Sequence, residues 1–187
     1  TRRRPWKKWI GRMAYERSSW REASAFHALT ATEAGNIRRE AGAVPMLTIA
    51  NAGPAPGRAL LVPRAPVIAF LGRIHAVKNV AALIEGWRRA RLPAAARLVV
   101  AGWGEPGEVA RLEARIAAAG PSVSFIGPAY GAAKQQLLEA ARFMVLPSLS
   151  EAMPMAVLEG WAAGTPAILT ASCNLPEGFA AGAALDC

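Results

Sequence analysis

The sequence predicts a doubly wound α/β domain on a parallel sheet, and two observations carry that expectation. Apolar runs of four to six residues alternate with helical stretches of ten or more, and 187 residues with 53% hydrophobic content can bury a sizeable core. Val67-Ile68-Ala69-Phe70-Leu71, after Pro66, reads as the first buried strand, and apolar residues at helical spacing over 80–91 form its crossover helix. Three more pairs follow: strand 97–101 with helix 106–119, strand 123–126 with helix 132–140, and strand 143–146 with helix 154–163. A fifth strand spans 166–170. Runs without polar alternation suit strands covered on both faces, and crossover helices make such strands parallel.

The first third is less regular. Trp6, Trp9, Ile10, Met13 and Trp20 fall largely on one face of a helix whose other sides are basic. A strand at 25–29, a helix at 31–41 and a strand at 46–49 come next. Asn51-Ala52-Gly53-Pro54-Ala55-Pro56-Gly57 is a linker by its proline and glycine content. Residues 1–53 are therefore assigned to one domain, 54–65 to a linker and 66–187 to a second domain. The stretch before the linker is too short to be an α/β domain of its own and reads as a remnant. A first residue that is Thr1, not methionine, suggests a piece of a longer protein.

Charge excludes some functions. The net charge is +9, but the first 21 residues hold eight basic side chains against the single acid Glu16, so the rest is nearly neutral. No generally basic nucleic-acid surface follows. The basic, tryptophan-bearing helix is instead what an anionic membrane surface attracts, although packing of Trp6, Trp9 and Met13 against another domain is the favoured explanation. Twelve of the 13 acids are glutamate and the only aspartate is Asp186, which excludes clustered-aspartate metal sites. Cys173, Cys187, His27 and His75 show no metal-ligand spacing, and a reducing cytoplasm fits. No apolar run reaches the roughly 18 residues of a membrane span.

Ligands of open parallel sheets bind beyond the carboxyl ends of the strands, which directs attention to four loops. The first, Gly72-Arg73-Ile74-His75-Ala76-Val77-Lys78-Asn79, offers a tight turn at Gly72, two cations, Arg73 and Lys78, and a helix cap at Asn79. The second, Gly102-Trp103-Gly104, allows close backbone approach but lacks the full Gly-x-Gly-x-x-Gly pattern of nicotinamide binding. The third, Ile126 to Gly131, carries Tyr130, which either walls a flat ring or packs. The fourth runs from Pro147 through Glu151, Ala152 and Met153 into a helix with Pro154 near its first position and Glu159 about two turns inside. Amides at Met153, Met155 and Ala156 are expected to be free for a ligand, because the first helical turn has no internal acceptors for them.

These loops resemble the donor-binding half of retaining glycosyltransferases of family four. The resemblance rests on Gly72-Arg73 with Lys78, Val123-x-Phe125-Ile126-Gly127, Leu146-Pro147-Ser148 leading to Ser150-Glu151-x7-Glu159, and Ala162-Ala163-Gly164-Thr165-Pro166. It implies a Rossmann-like doubly wound sheet, the C-terminal half of a GT-B fold, incomplete at its end and preceded by a remnant of the acceptor-binding domain. It implies that Arg73 and Lys78 clamp the donor diphosphate and, with Glu151 facing the transferred sugar, form the catalytic set. Gly72, Gly102, Met153, Pro154, Met155 and Ala156 would line the donor, Glu159 would bind the ribose hydroxyls, and the loop at Ile126 would touch the base. The implied donor is a nucleoside diphosphate sugar, with no metal or other cofactor, because a chain with one aspartate has no Asp-x-Asp motif.

The implied acceptor is a glycan or lipid-linked sugar, as in bacterial surface polysaccharide or glycolipid assembly, in the cytoplasm or peripherally on the inner face of the membrane. The chain by itself is expected to bind donor weakly and transfer nothing. A non-catalytic nucleotide-sugar or membrane-surface module, and an epimerase or phosphorylase on the same architecture, stand as alternatives. Two positions depart from the family. Ala152 replaces a usual glycine, which strains the loop if its φ is positive, and Asn79 replaces a common glycine as a helix cap. His27 is expected to pack, and His75 to lie in a loop near the phosphates.

Overall fold

The computed structural model describes residues 17–57 and 64–187. Trp6, Trp9, Ile10 and Met13 lie outside the described residues, as does most of the predicted basic helix. The chain divides into two compact units after Asn51.

The first unit contains α1 (Arg17–Glu22), β1 (Phe26–Ala28), α2 (Ala31–Ala41) and β2 (Met46–Thr48), with β1 and β2 paired in parallel. Helix α2 starts where the sequence says it should. Thr30 accepts a hydrogen bond from the Glu33 amide at 3.1 Å, and the Glu33 carboxylate reaches back to the Leu29 amide at 2.7 Å, a reciprocal capping arrangement. His27 does not pack as expected. It is exposed on β1, because a two-stranded sheet turns alternate side chains outward, and its Nε2 lies 2.8 Å from the Ile49 carbonyl oxygen.

The second unit holds β3 (Ala65–Leu71), a 3-10 turn (Ala76–Lys78), α3 (Val80–Arg89), β4 (Arg97–Ala101), α4 (Pro106–Ala119), β5 (Val123–Phe125), α5 (Gly131–Ala140), β6 (Ala141–Leu146), α6 (Met155–Ala162), β7 (Ala167–Leu169), α7 (Pro176–Ala180) and β8 (Ala184–Asp186). Its six strands are all parallel, in the order β5-β4-β3-β6-β7-β8. The chain works outward from β3 to one edge, returns to β6 and works outward to the other. The loops after β3 and β6 therefore diverge, opening a crevice at the switch point where doubly wound sheets take ligands. Phe70, Leu98, Val100, Met144, Leu146, Val157 and Leu169 form the buried centre.

The predicted pairs are present with small shifts. Helix α3 stops at Arg89, and Pro154 is the cap of α6 instead of its first residue, with φ −74° and ψ 111°. Strand β8 and helix α7 were not expected, since three-residue and five-residue elements carry almost no periodicity.

One side chain ties the lower end of the sheet to two helix ends. Arg64 donates to the carbonyls of Leu138 at 3.1 Å, Ala141 at 3.0 Å and Ala163 at 2.7 Å, and to the Thr165 hydroxyl. The buried Thr165 hydroxyl itself donates to Leu138 at 2.5 Å. A guanidinium forked between the C-termini of α5 and α6 satisfies their last carbonyls and opposes both helix dipoles. Arg64→Ala is expected to cost about 2–4 kcal/mol and lower the melting midpoint by roughly 5–15 °C, with Arg64→Lys recovering only part because an ammonium cannot fork. Thermal denaturation followed by circular dichroism checks this, and an unchanged midpoint in Arg64→Ala contradicts it.

Candidate functional site

The loops after β3 and β4 extend their strands as a tight double layer. The Gly72 amide donates to Ala101 at 3.1 Å and the Ile74 amide to Trp103 at 2.7 Å, while the Gly102 amide turns to Gly127 at 2.8 Å. A Cβ on Gly102 would lie 1.8 Å from the Gly72 carbonyl oxygen, and one on Gly104 would lie 2.5 Å from that of Ile74. Both glycines are thus required for backbone to lie on backbone. Gly102 lines the cleft described below, but its fixed role is to let the Gly72–Arg73 loop sit where it does.

The 3-10 turn Ala76–Lys78 then carries Lys78 to the crevice. His75 Nδ1 accepts from the Val77 amide at 3.2 Å, so His75 caps this turn. Asn79 works differently from the expected cap. It makes no side-chain cap bond, and it occupies the left-handed region at φ 56° and ψ 30°, ending the turn and starting α3. Asparagine is among the few residues that adopt this conformation at low cost. Lys78 Nζ lies 2.5 Å from Glu151 Oε1, and the two side chains are 23% and 11% exposed. The Leu149 amide also donates to the Val77 carbonyl at 2.8 Å, so the loops after β3 and β6 are joined by backbone as well as by charge.

Glu151 is held from behind by the turn after β7. Its amide donates to Ser172 at 3.0 Å, its carbonyl accepts from Asn174 Nδ2 at 2.6 Å, and the Thr170 hydroxyl donates to the Ser148 carbonyl at 2.5 Å. Asn174 is a second left-handed asparagine, at φ 54°. Ala152 does not have positive φ, so the condition under which an alanine would strain the loop is not met. The buried Cys173 thiol reaches the Leu146 carbonyl at 3.4 Å, and burial pushes its pKa up, which keeps it protonated.

The predicted donor residues divide into groups. Gly72, Arg73, Gly102, Ala156 and Glu159 line one hollow of about 180 Å³, together with Trp103, Tyr130 and Lys134. That is below the 300 Å³ or so of a typical small-molecule pocket, so a nucleotide-sized ligand would extend onto the open sheet edge. Lys78 and Glu151 do not line this hollow; neither do Ile126, which is 52% exposed, and Met155, which is 40% exposed. Pro154 is buried and Met153 packs its side chain against the core. The first bond of α6 runs from the Val157 amide to the Pro154 carbonyl, leaving the Met155 and Ala156 amides at the helix mouth. Met153, just ahead of the helix, makes an interaction of its own.

Two features were missed by sequence reasoning. Arg73 lies 5.1 Å from the centroid of the Trp103 ring and 3.7 Å from the Glu105 carboxylate, so its guanidinium is steered by an aromatic face. Glu159 is paired with Lys134, Nζ to Oε1 at 2.6 Å. The signal for Lys134 was present: it is the only cation of α5 and sits in its first turn, just past the loop after β5. Tyr130 is 66% exposed and not packed, which leaves its ring available as a wall.

Gly102→Ala is expected to destabilise the protein by roughly 3 kcal/mol or more, because the clash is with backbone and cannot be relieved by a rotamer change. Urea denaturation checks it; an unshifted midpoint means that the two loops do not approach as described.

Residues 65–185 match the family described as glycosyl transferases group 1. Among solved structures the chain is similar to a TarM variant from S. aureus, in complex with fondaparinux, alpha-GlcNAc-glycerol and UDP, at 18% identity and TM-score 0.68 over 84% of this chain and 32% of that one. It is similar to Anabaena HepE in complex with UDP and glucose, at 18% identity and TM-score 0.69 over 90% and 52%. Sucrose-phosphate synthase from Thermosynechococcus elongatus matches at 23% identity and TM-score 0.71 over 86% and 44%. The likeness is one of fold, the GT-B Rossmann-like domain, and the chain spans about a third to a half of the length of these proteins. No curated protein matches the chain. The family match runs from the first residue of β3 into β8, the span that forms this sheet and its cleft, and the chain belongs to the group 1 glycosyl transferases.

Proposed function

We propose that the chain is the donor-binding part of a glycosyltransferase that moves a hexose from a nucleoside diphosphate sugar to a glycan or lipid-linked acceptor. The observation that carries this reading is the charge arrangement at the switch point. Lys78 and Glu151 meet across the crevice, Arg73 stands at the rim of the adjoining hollow, and the α6 amides of Met155 and Ala156 open on the same edge of the sheet.

Breaking a sugar–phosphate bond builds negative charge on the departing diphosphate. Arg73, Lys78 and the helix amides supply fixed positive charge and dipoles where that charge develops, without reorganising as it does. The Lys78 ammonium has three N–H donors, so its pairing with Glu151 leaves others for phosphate oxygens. Glu151 faces the transferred sugar in this scheme, Glu159 accepts from the ribose hydroxyls, and the exposed rings of Trp103 and Tyr130, with Ile126, flank the base. The cations take the place of a metal, a reading supported by the single aspartate of the sequence. Retention at the anomeric carbon rests on the resemblance to family four, as does a place in bacterial surface polysaccharide or glycolipid assembly at the cytoplasmic face of the membrane. Among the described residues no helix is long and apolar enough to cross a membrane. The chain by itself is expected to bind donor weakly and to transfer nothing.

TarM and HepE were each solved with UDP, which makes UDP the natural probe. Isothermal calorimetry is expected to show UDP binding to the 187-residue chain, and each of Arg73→Ala and Lys78→Ala to weaken it roughly 10- to 100-fold, the loss of one charge-assisted contact. Equal affinities in all three proteins overturn the assignment of the clamp.

A further inference from the structure

We propose that Lys134 is a positioning residue for ribose recognition, holding the Glu159 carboxylate by one oxygen so that the other is presented to a ribonucleotide. The inference rests on the donor-site reading above and adds a residue to it. Lys134 comes from the first turn of α5 and Glu159 from the middle of α6, and their 2.6 Å contact links the two helices. Both side chains are largely covered, at 30% and 23% exposure, so the pair is neither a freely solvated surface contact nor a sealed interior one.

The pair also lies between two hollows. On one side is the cleft with Gly72, Arg73, Gly102 and Trp103; on the other is a groove of about 240 Å³ lined by Gly131, Gln135, Leu138, Ala162 and Ala163. Lys134 and Glu159 line both. An unrestrained glutamate in that wall could turn to either side. Lys134 removes the choice by fixing Oε1, which leaves Oε2 to accept from a hydroxyl. It also cancels a carboxylate charge that would otherwise stand in the same cleft as a diphosphate and repel it. The Lys78–Glu151 pair does not line this hollow, so the effect of Lys134 on the ribose end is separable from that of Lys78 on the phosphates.

The separation can be read by truncating the ligand. Calorimetry on the full chain compares UDP, 2′-deoxy-UDP and pyrophosphate as probes in the wild type, Lys134→Met, Lys134→Gln and Lys134→Arg. The wild type is expected to prefer UDP over its 2′-deoxy analogue about tenfold, the value of one hydrogen bond to a charged acceptor. Lys134→Met and Lys134→Gln are expected to weaken UDP about five- to tenfold and reduce the ribose preference to below about threefold. Pyrophosphate should change by no more than about twofold, and Lys134→Arg should restore the preference. Melting curves identify a misfolded variant, and the glutamine variant serves if the methionine one does not fold. A ribose preference that survives both substitutions overturns the proposal, as does a parallel loss of UDP and pyrophosphate, which would make Lys134 a phosphate ligand. Failure of the wild type to bind UDP more tightly than pyrophosphate is a different result: it removes the donor-site reading and this inference together.

Discussion

The ion pair between Lys78 and Glu151 is the interaction on which the site depends. A parallel sheet whose winding reverses between β3 and β6 separates the two following loops, and something must hold them across the crevice. Here a short 3-10 turn delivers the lysine, the turn after β7 braces the glutamate through Ser172 and Asn174, and the charges meet at 2.5 Å. Neither side chain is more than a quarter exposed. Removing one partner of such a pair leaves a desolvated charge, which is more costly than removing both. Asn79 and Asn174, both left-handed, are the backbone means by which the two turns reach the crevice.

The three cations near the cleft share one feature: each already faces a carboxylate, Arg73 with Glu105, Lys78 with Glu151 and Lys134 with Glu159. The charges at the site are thus close to balanced within the protein itself. This differs from what the net charge of +9 suggests on first reading. Most of that excess lies in the first 21 residues, and the site draws its positive character from a few placed groups and from the mouth of α6 instead of from a basic surface. In the electrostatic account of catalysis, fixed groups that need not move when charge develops are the effective ones, and under the proposed function the pairing of Arg73 with the Trp103 face would serve that end.

The fold was legible in the sequence because its signal is local. Five apolar runs and four helical stretches appear within one or two residues of where periodicity places them, as with β4 and α4, which match end to end. The elements that were missed, α7 and β8, are too short to show a period. The candidate site was legible only as types of residue in the loops after the strands. What remained hidden was pairing over distance in the chain: Lys134 with Glu159 lies 25 residues apart, and Arg64 with Ala163 lies 99. No spacing rule reveals such contacts. Asn79 was read as a capping side chain when its contribution is a backbone angle, and the condition for strain at Ala152 is not met because its φ is not positive. Residue type alone did not give the backbone angle at either position.

The most direct test of the central claim is an amide chemical-shift titration of the isotope-labelled chain with UDP. If the cations and the α6 mouth at the switch point bind a nucleoside diphosphate, the shifts concentrate on Gly72, Arg73, Lys78, Gly102, Met155 and Ala156, at the carboxyl ends of β3, β4 and β6. Amides at the opposite end of the same strands, such as Val67, Arg97 and Arg142, stay in place. Shifts centred on that opposite end, or no shifts at saturating UDP, would contradict the account.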